Sequence, residues 1–147
     1  MIDIDKVEDA LKEKGYKLTK QRKSIIEVLI ENTGKFLSVE DIYTECKVKY
    51  PKTNLSTVYR NMEILEDINL VHKTIINGSS SSYEITCNEC HHHHLICKNC
   101  GKTETIDYCP VADIASKINR NGFTVTDHKL EIYGYCNNCN KNKKLED

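Results

Sequence analysis

The sequence has no long hydrophobic run, no secretory leader pattern and almost no net charge. No window of this 147-residue chain approaches the ~18 apolar residues that a membrane span needs. The opening stretch, MIDIDKVEDALKEKGYK, is charged and amphipathic. It lacks the apolar centre and small-residue cleavage site of a secretory signal. We therefore expect a cytoplasmic protein with no membrane partner. Thiols stay reduced in that compartment, so the eight cysteines are expected to be metal ligands or redox groups rather than structural disulfides. The formal charge of −1 gives no global argument for nucleic acid. Locally, residues 12–23, KEKGYKLTKQRK, carry six basic side chains against one acidic. Such a patch steers a domain onto phosphate, or is a solvated helix end.

The length suits one ordinary domain or two small ones, and a change of pattern along the chain favours two. The first, residues 1–86, opens with helices. Residues 3–14 place Ile4, Val7 and Leu11 at helical spacing. Thr19 can cap a second helix with Ile25, Val28 and Leu29 on its apolar face. Ser38 with Asp41 resembles a capping box before a third helix lined by Val39, Ile42, Tyr43 and Cys46, ending before Pro51. Asn54 or Ser56 can open a fourth, LSTVYRNMEILEDINL, with Val58, Met62, Leu65 and Ile68 facing inward. LVHKTII and SSYEIT then read as two strands around the turn NGSSS. Helices followed by a hairpin make a winged helix-turn-helix, in which the helix before the wing enters the major groove of double-stranded DNA. Ser56, Thr57, Tyr59 and Arg60 are left on the outer side near that helix start. Their chemistry suits base edges, a thymine methyl or phosphate.

The second domain, residues 87–147, reads β-α-β, so the fold class is α+β. HHHHLIC and KTETID are short strands. Residues 110–121 form a helix with Pro110 in its first turn, Val111, Ile114 and Ile118 on one face, and Gly122 as its stop. FTVTDHKLEIYGYC is expected to be a strand from Phe123 onward. Three strands and one helix are thin for independent stability. We expect a homodimer with the sheet or the helix at the interface.

The stretch CNECHHHHLICKNC, residues 87–100, packs four histidines and four cysteines into fourteen positions. Cys97-Lys-Asn-Cys100 and Cys136-Asn-Asn-Cys139 form a CxxC…CxxC pair. Zinc takes four tetrahedral ligands, and each CxxC supplies two sulfurs from one tight turn. A structural Zn²⁺ site that staples the start of this domain to its end is expected, and no redox context of the thioredoxin kind is visible. The histidines differ. On a strand, side chains alternate faces, so His91 and His93 point one way and His92 and His94 the other. Two adjacent sites follow, each built on an i, i+2 histidine pair. Cys87, Cys90, Glu84, His72, Glu104, Asp107, Asp113 and His128 are the available further ligands. Metal placed between a DNA-binding domain and a dimer domain would fix the angle between two reading heads.

The elements LTKQR, LSTVYRNMEIL, HHHHLICKNCGK and TDHKLEIYGYCNNC, in this order and spacing, resemble the ferric uptake regulator family over about residues 10–141. The resemblance implies a dimeric, metal-dependent repressor with an N-terminal winged helix and a C-terminal β-α-β dimerisation domain. It implies Tyr59 and Arg60 on the recognition helix, and Lys17 and Arg22 near the DNA backbone or minor groove. It assigns Cys97, Cys100, Cys136 and Cys139 to structural zinc. Iron- and peroxide-sensing members usually carry a histidine just before the third helix, where this chain has Phe36 or Leu37. They usually carry a carboxylate five residues after the second zinc cysteine, where it has Thr105. Zinc-sensing members are similar in having HHHH with a cysteine upstream and a proline after the second strand, here Cys87 and Cys109-Pro110. The match implies a hinge site of His72, Cys87, His92 and His94, with Cys90 and Glu84 as alternates. It implies a second site of His91, His93, Asp113 and His128.

Thiolate and imidazole at four-coordinate sites suit Zn²⁺, whereas Fe²⁺ and Mn²⁺ favour carboxylate-rich sites of higher coordination. A zinc uptake regulator is therefore the favoured reading. The competing ones are an iron or manganese sensor using Glu84 and the histidines, and a peroxide or thiol sensor using Cys46, Cys90 or Cys109. A zinc enzyme would need an open metal position and a base such as Glu84 or Glu104, and would leave the winged helix unexplained. The chain is not expected to be an enzyme.

Overall fold

Four residues with short polar side chains end extended segments and start the N-terminal helices. The computed structural model describes residues 2–76, 78, 80–86, 92–118 and 122–143. Asp3 accepts from the Asp5 N–H and opens α1 (Ile4–Glu13). Thr19 accepts from Arg22 N–H and opens α2 (Lys20–Glu31). Ser38 and Asp41 form the expected reciprocal box ahead of α3 (Val39–Lys49). Asn54, rather than Ser56, caps α4 (Leu55–Asp67). Each cap satisfies a backbone donor that the first helical turn leaves unpaired.

The chain divides into two compact units, Met1–Cys90 and His91–Asp147. In the first, the apolar stripes meet in one core. Leu11 of α1, Ile25, Ile26 and Leu29 of α2, Ile42 of α3 and Val58, Met62 and Leu65 of α4 are buried together. Burial of such side chains stabilises the fold by roughly 1.5–3 kcal/mol each before entropy is charged against it. A small antiparallel sheet closes the unit. It comprises β1 (Leu37–Ser38), β2 (Val71–Ile75) and β3 (Ser81–Ile85), in the order β1-β3-β2. Together, α3, α4 and the β2–β3 wing make the winged helix-turn-helix.

Cys46 corrects one expectation. Its side chain is fully buried in this core, and burial pushes its thiol up to about 11. A peroxide or thiol sensor needs an accessible thiolate, so Cys46 serves packing.

The second unit holds β4 (His93–Cys97), β5 (Thr103–Ile106), α5 (Val111–Ile118), β6 (Glu131–Gly134) and α6 (Asn137–Lys143). Its sheet order is β5-β4-β6, with β4 antiparallel to β5 and parallel to β6. The strand expected from Phe123 starts only at Glu131. The reason is register: β4 is short, and its pairing with β6 begins at His94 opposite Glu131. Before His94 the described part of β4 supplies only His93, so residues 123–129 have no rung to pair with, and Phe123 is 66% exposed. The expected helix over 110–121 is observed as Val111–Ile118, and 119–121 lie outside the described residues.

Candidate metal centre

The four-cysteine constellation begins with two tight turns. β4 ends in Cys97, and Gly101 follows Cys100 at φ +77°, a left-handed conformation that disfavours any residue with a Cβ. Its N–H reaches back 3.0 Å to the Cys97 carbonyl, which curls Cys97 and Cys100 onto one side. The second pair sits where β6 turns into α6, and Asn140 N–H bonds the Cys136 carbonyl at 2.8 Å. The parallel β4–β6 pairing, Cys97 opposite Gly134, brings the two turns together. Cys97, Cys100, Cys136 and Cys139 thus place four sulfurs within 4.8 Å of one another.

The donor set fits zinc. A tetrahedral ion with bonds of about 2.3 Å to sulfur holds its sulfurs about 3.8 Å apart. Cys100 Sγ and Cys136 Sγ are 3.7 Å apart. Backbone N–H groups of Cys100 and Cys136 hold the Cys97 thiol down at about 6, and burial opposes them. Cys139 accepts from Asn99 Nδ2 at 3.3 Å, yet the neighbouring Cys136 leaves its thiol at about 11. Four crowded thiols cannot all ionise by themselves. A divalent cation would offset that repulsion and hold all four as thiolates.

The histidine run divides as strand alternation requires. His93 and His94 are consecutive on β4 and leave opposite faces. His93 meets His128, their Nε2 atoms 3.4 Å apart, and Cys109 Sγ lies 3.3 Å from the same His128 nitrogen. The three donors form a second cluster. On the other face, the ring of His94 meets that of His92 edge-on at 5.0 Å. Directly across the β4–β5 ladder from His94 stands Thr105.

The remaining candidate ligands fall as follows. Asp113 is not in the His93 cluster among the described residues. Its carboxylate accepts from Tyr108 Oη at 2.7 Å. His72 lies on β2 opposite Glu84 of β3, and Glu84 Oε1 accepts from the Gly34 N–H at 3.0 Å. Cys87, Cys90 and His91 lie outside the described residues.

On α4 the candidate DNA contacts separate into outward and inward groups. Tyr59 and Arg60 are exposed, and Tyr59 Oη donates to Glu40 Oε1 of α3 at 3.3 Å. The Ser56 and Thr57 hydroxyls donate to the cap residue Asn54 at 2.8 Å each, leaving their oxygens able to accept. Lys17 is exposed. Arg22 is turned inward. Its Nε donates to Asn61 Oδ1 at 2.9 Å, its Nη1 donates to the Lys17 carbonyl, and its guanidinium lies 5.6 Å from the Tyr16 ring centre. Asn61 is buried on α4 and also donates to the Thr57 carbonyl. Arg22 thereby fastens the loop before α2 to α4. If phosphate attraction were its whole role, Arg22→Lys would be harmless. We expect that substitution to lower the unfolding free energy by about 1–2 kcal/mol, because lysine cannot make the fork to Asn61 and Lys17 together. Urea unfolding without DNA measures it, and an unchanged midpoint would remove the positioning role.

Asn61 and Tyr108 are absent from the sequence-based assignments, and Cys109 enters them as a sensor thiol and as the residue before Pro110 but not as a metal ligand. Asn61 carried a signal, since it falls among the inward positions Val58, Met62 and Leu65 and a buried amide needs partners. Cys109 carried a weaker one, as a thiol three residues beyond the second strand of the small domain.

Residues 13–133 match the family model described as the ferric uptake regulator family. The ferric uptake regulation protein of Bacillus subtilis (strain 168) is 36% identical over 140 residues, covering 93% of this chain and 94% of that protein. Among solved structures, the Helicobacter pylori ferric uptake regulator, described as having three functional metal-binding sites, is similar with a TM-score of 0.73. It is 28% identical, over 93% of this chain and 91% of its own. A zinc-bound manganese uptake regulator is similar with a TM-score of 0.64 and 31% identity, over 88% of this chain and 97% of its own.

Proposed function

This chain belongs to the ferric uptake regulator family, and we propose that it is a zinc-responsive transcriptional repressor that binds double-stranded operator DNA as a homodimer. Membership supports a metal-dependent regulator of transcription. The metal identity is our further reading.

One observation carries it. The rung facing His94 on β5 is Thr105, which has no carboxylate, and Glu131, the residue opposite on β6, already pairs with Lys129 Nζ at 2.9 Å and accepts from the Tyr133 hydroxyl. Iron and manganese sites draw on several carboxylates, whereas zinc is content with four imidazole and thiolate donors. For the regulatory metal we propose His92 and His94 with His72 and Cys87, keeping Cys90 and Glu84 as alternates. This set rests on donor chemistry and on the spacing of the sequence. For structural zinc we propose Cys97, Cys100, Cys136 and Cys139, whose spacing and sulfur separation suit a tetrahedral ion. Apolar surface supports the dimer: no residue of α5 is buried within one chain, and Ile114 and Ile118 are 42% and 41% exposed. Among the described residues no helix is long and apolar enough to cross a membrane. A cytoplasmic location suits the DNA partner.

A second reading, response to Fe²⁺ or Mn²⁺, draws on the names of the relatives and on Glu84 as an available carboxylate. The two separate in a metal-titrated DNA-binding assay. Protein holding only structural zinc is titrated with buffered Zn²⁺, Fe²⁺ or Mn²⁺ against promoters of zinc- and iron-uptake genes. We expect Zn²⁺ to raise affinity for the zinc-uptake promoter by about 5- to 150-fold, the usual range of allosteric coupling. Selective activation by Fe²⁺ or Mn²⁺ would overturn the zinc reading and leave the family reading intact.

A further inference from the structure

His93, Cys109 and His128 reach one point from three places in the second unit: β4, the loop before α5 and the segment before β6. His93 is buried, and Cys109 and His128 are half-buried. The separations are 3.4 Å between the histidine Nε2 atoms and 3.3 Å from Cys109 Sγ to His128 Nε2. A tetrahedral zinc ion with bonds of about 2.0–2.1 Å to nitrogen and about 2.3 Å to sulfur sets its ligands about 3.3 Å apart for a nitrogen pair and about 3.6 Å for nitrogen and sulfur. Both contacts therefore have roughly the lengths of tetrahedron edges around a single ion. As hydrogen bonds they compete, because a neutral imidazole nitrogen is either a donor or an acceptor. One cation between them would satisfy all three donors at once.

Asp113, the ligand the sequence pattern suggests here, is held elsewhere by the Tyr108 hydroxyl at 2.7 Å. Tyr108 and Cys109 are adjacent in the chain, so the loop that secures the carboxylate also presents the thiol. We propose that His93, Cys109 and His128 form a thiolate-bearing metal site, with Cys109 as ligand in place of Asp113. The site takes a four-coordinate borderline ion, Zn²⁺ or Co²⁺, in preference to Mn²⁺ or Fe²⁺. Three protein donors leave a fourth corner for another ligand. The inference deepens the proposed function and rests on its reading of a metal-dependent regulator. Its test measures metal binding alone, so a failure of zinc-dependent DNA binding would leave the result standing.

The probe is Co²⁺, whose bond to thiolate gives a near-ultraviolet charge-transfer absorption. The full-length protein carries Cys87→Ser and Cys90→Ser, and zinc is kept in the four-cysteine site and checked by metal analysis. Any thiolate–cobalt absorption then reports Cys109. We expect the absorption in this background and its loss on adding Cys109→Ser, with Co²⁺ affinity falling at least about tenfold. Cys109→Asp is expected to keep the bound Co²⁺ without the absorption, which separates a lost ligand from a lost fold. Asp113→Asn is expected to change neither. Absence of the band from the background, its persistence without Cys109, or loss of Co²⁺ in Asp113→Asn would each overturn the assignment.

Discussion

Replacing Cys97 with serine is expected to release one zinc per chain and to unfold the second unit. Among its described residues, Ile96, Cys97, His93 and His94 are the only buried side chains, which is far too small a core for an independent domain. The four-cysteine site spans both ends of the unit, joining β4 to α6. Structural zinc in small domains contributes on the order of 10 kcal/mol, and that contribution is folding energy. The first unit has its own core of about four helices' worth of apolar side chains and needs no metal. Metal analysis, sedimentation and circular dichroism should therefore show a zinc-poor monomer with its N-terminal helices retained. A folded dimer that keeps its zinc would remove the four-cysteine assignment.

Arg60→Ala is expected to weaken operator binding by about 2–6 kcal/mol without altering metal content. A side chain bonding a base edge is worth about 1–3 kcal/mol, and a dimer presents it twice. Arg60 is exposed near the start of α4, and none of the described contacts that secure this helix runs through it. Tyr59→Phe should have a smaller effect, since it removes only the hydroxyl that bonds Glu40. Binding to operator and to scrambled DNA, compared at one salt concentration, measures both. An equal loss on both DNAs would make Arg60 a phosphate contact, and no loss at all would mean α4 is not the reading helix.

How much of this was legible differs from element to element. The Ser38–Asp41 box and the Thr19 cap were readable because capping joins residues three apart. The Cys97–Cys100 and Cys136–Cys139 turns were readable for the same reason. The start of β6 was not, since strand length depends on the partner available, and β4 supplies few rungs. Cys46 looked like one more thiol, and only its place at the centre of the helical core removed it from redox chemistry.

By itself, then, the sequence determined the first five helices, the Thr19 and Ser38–Asp41 caps, the wing, the paired CxxC turns and the separation of the histidines onto opposite strand faces. All are set by contacts within a few residues or by the two-residue period of a strand. The tertiary structure alone decided that Arg22 clasps Asn61, thirty-nine positions away. It alone set Cys109 rather than Asp113 beside His128, which lies nineteen positions further on. Both choices depend on where a side chain points once distant segments have packed. Residue type lists the donors, and packing selects among them.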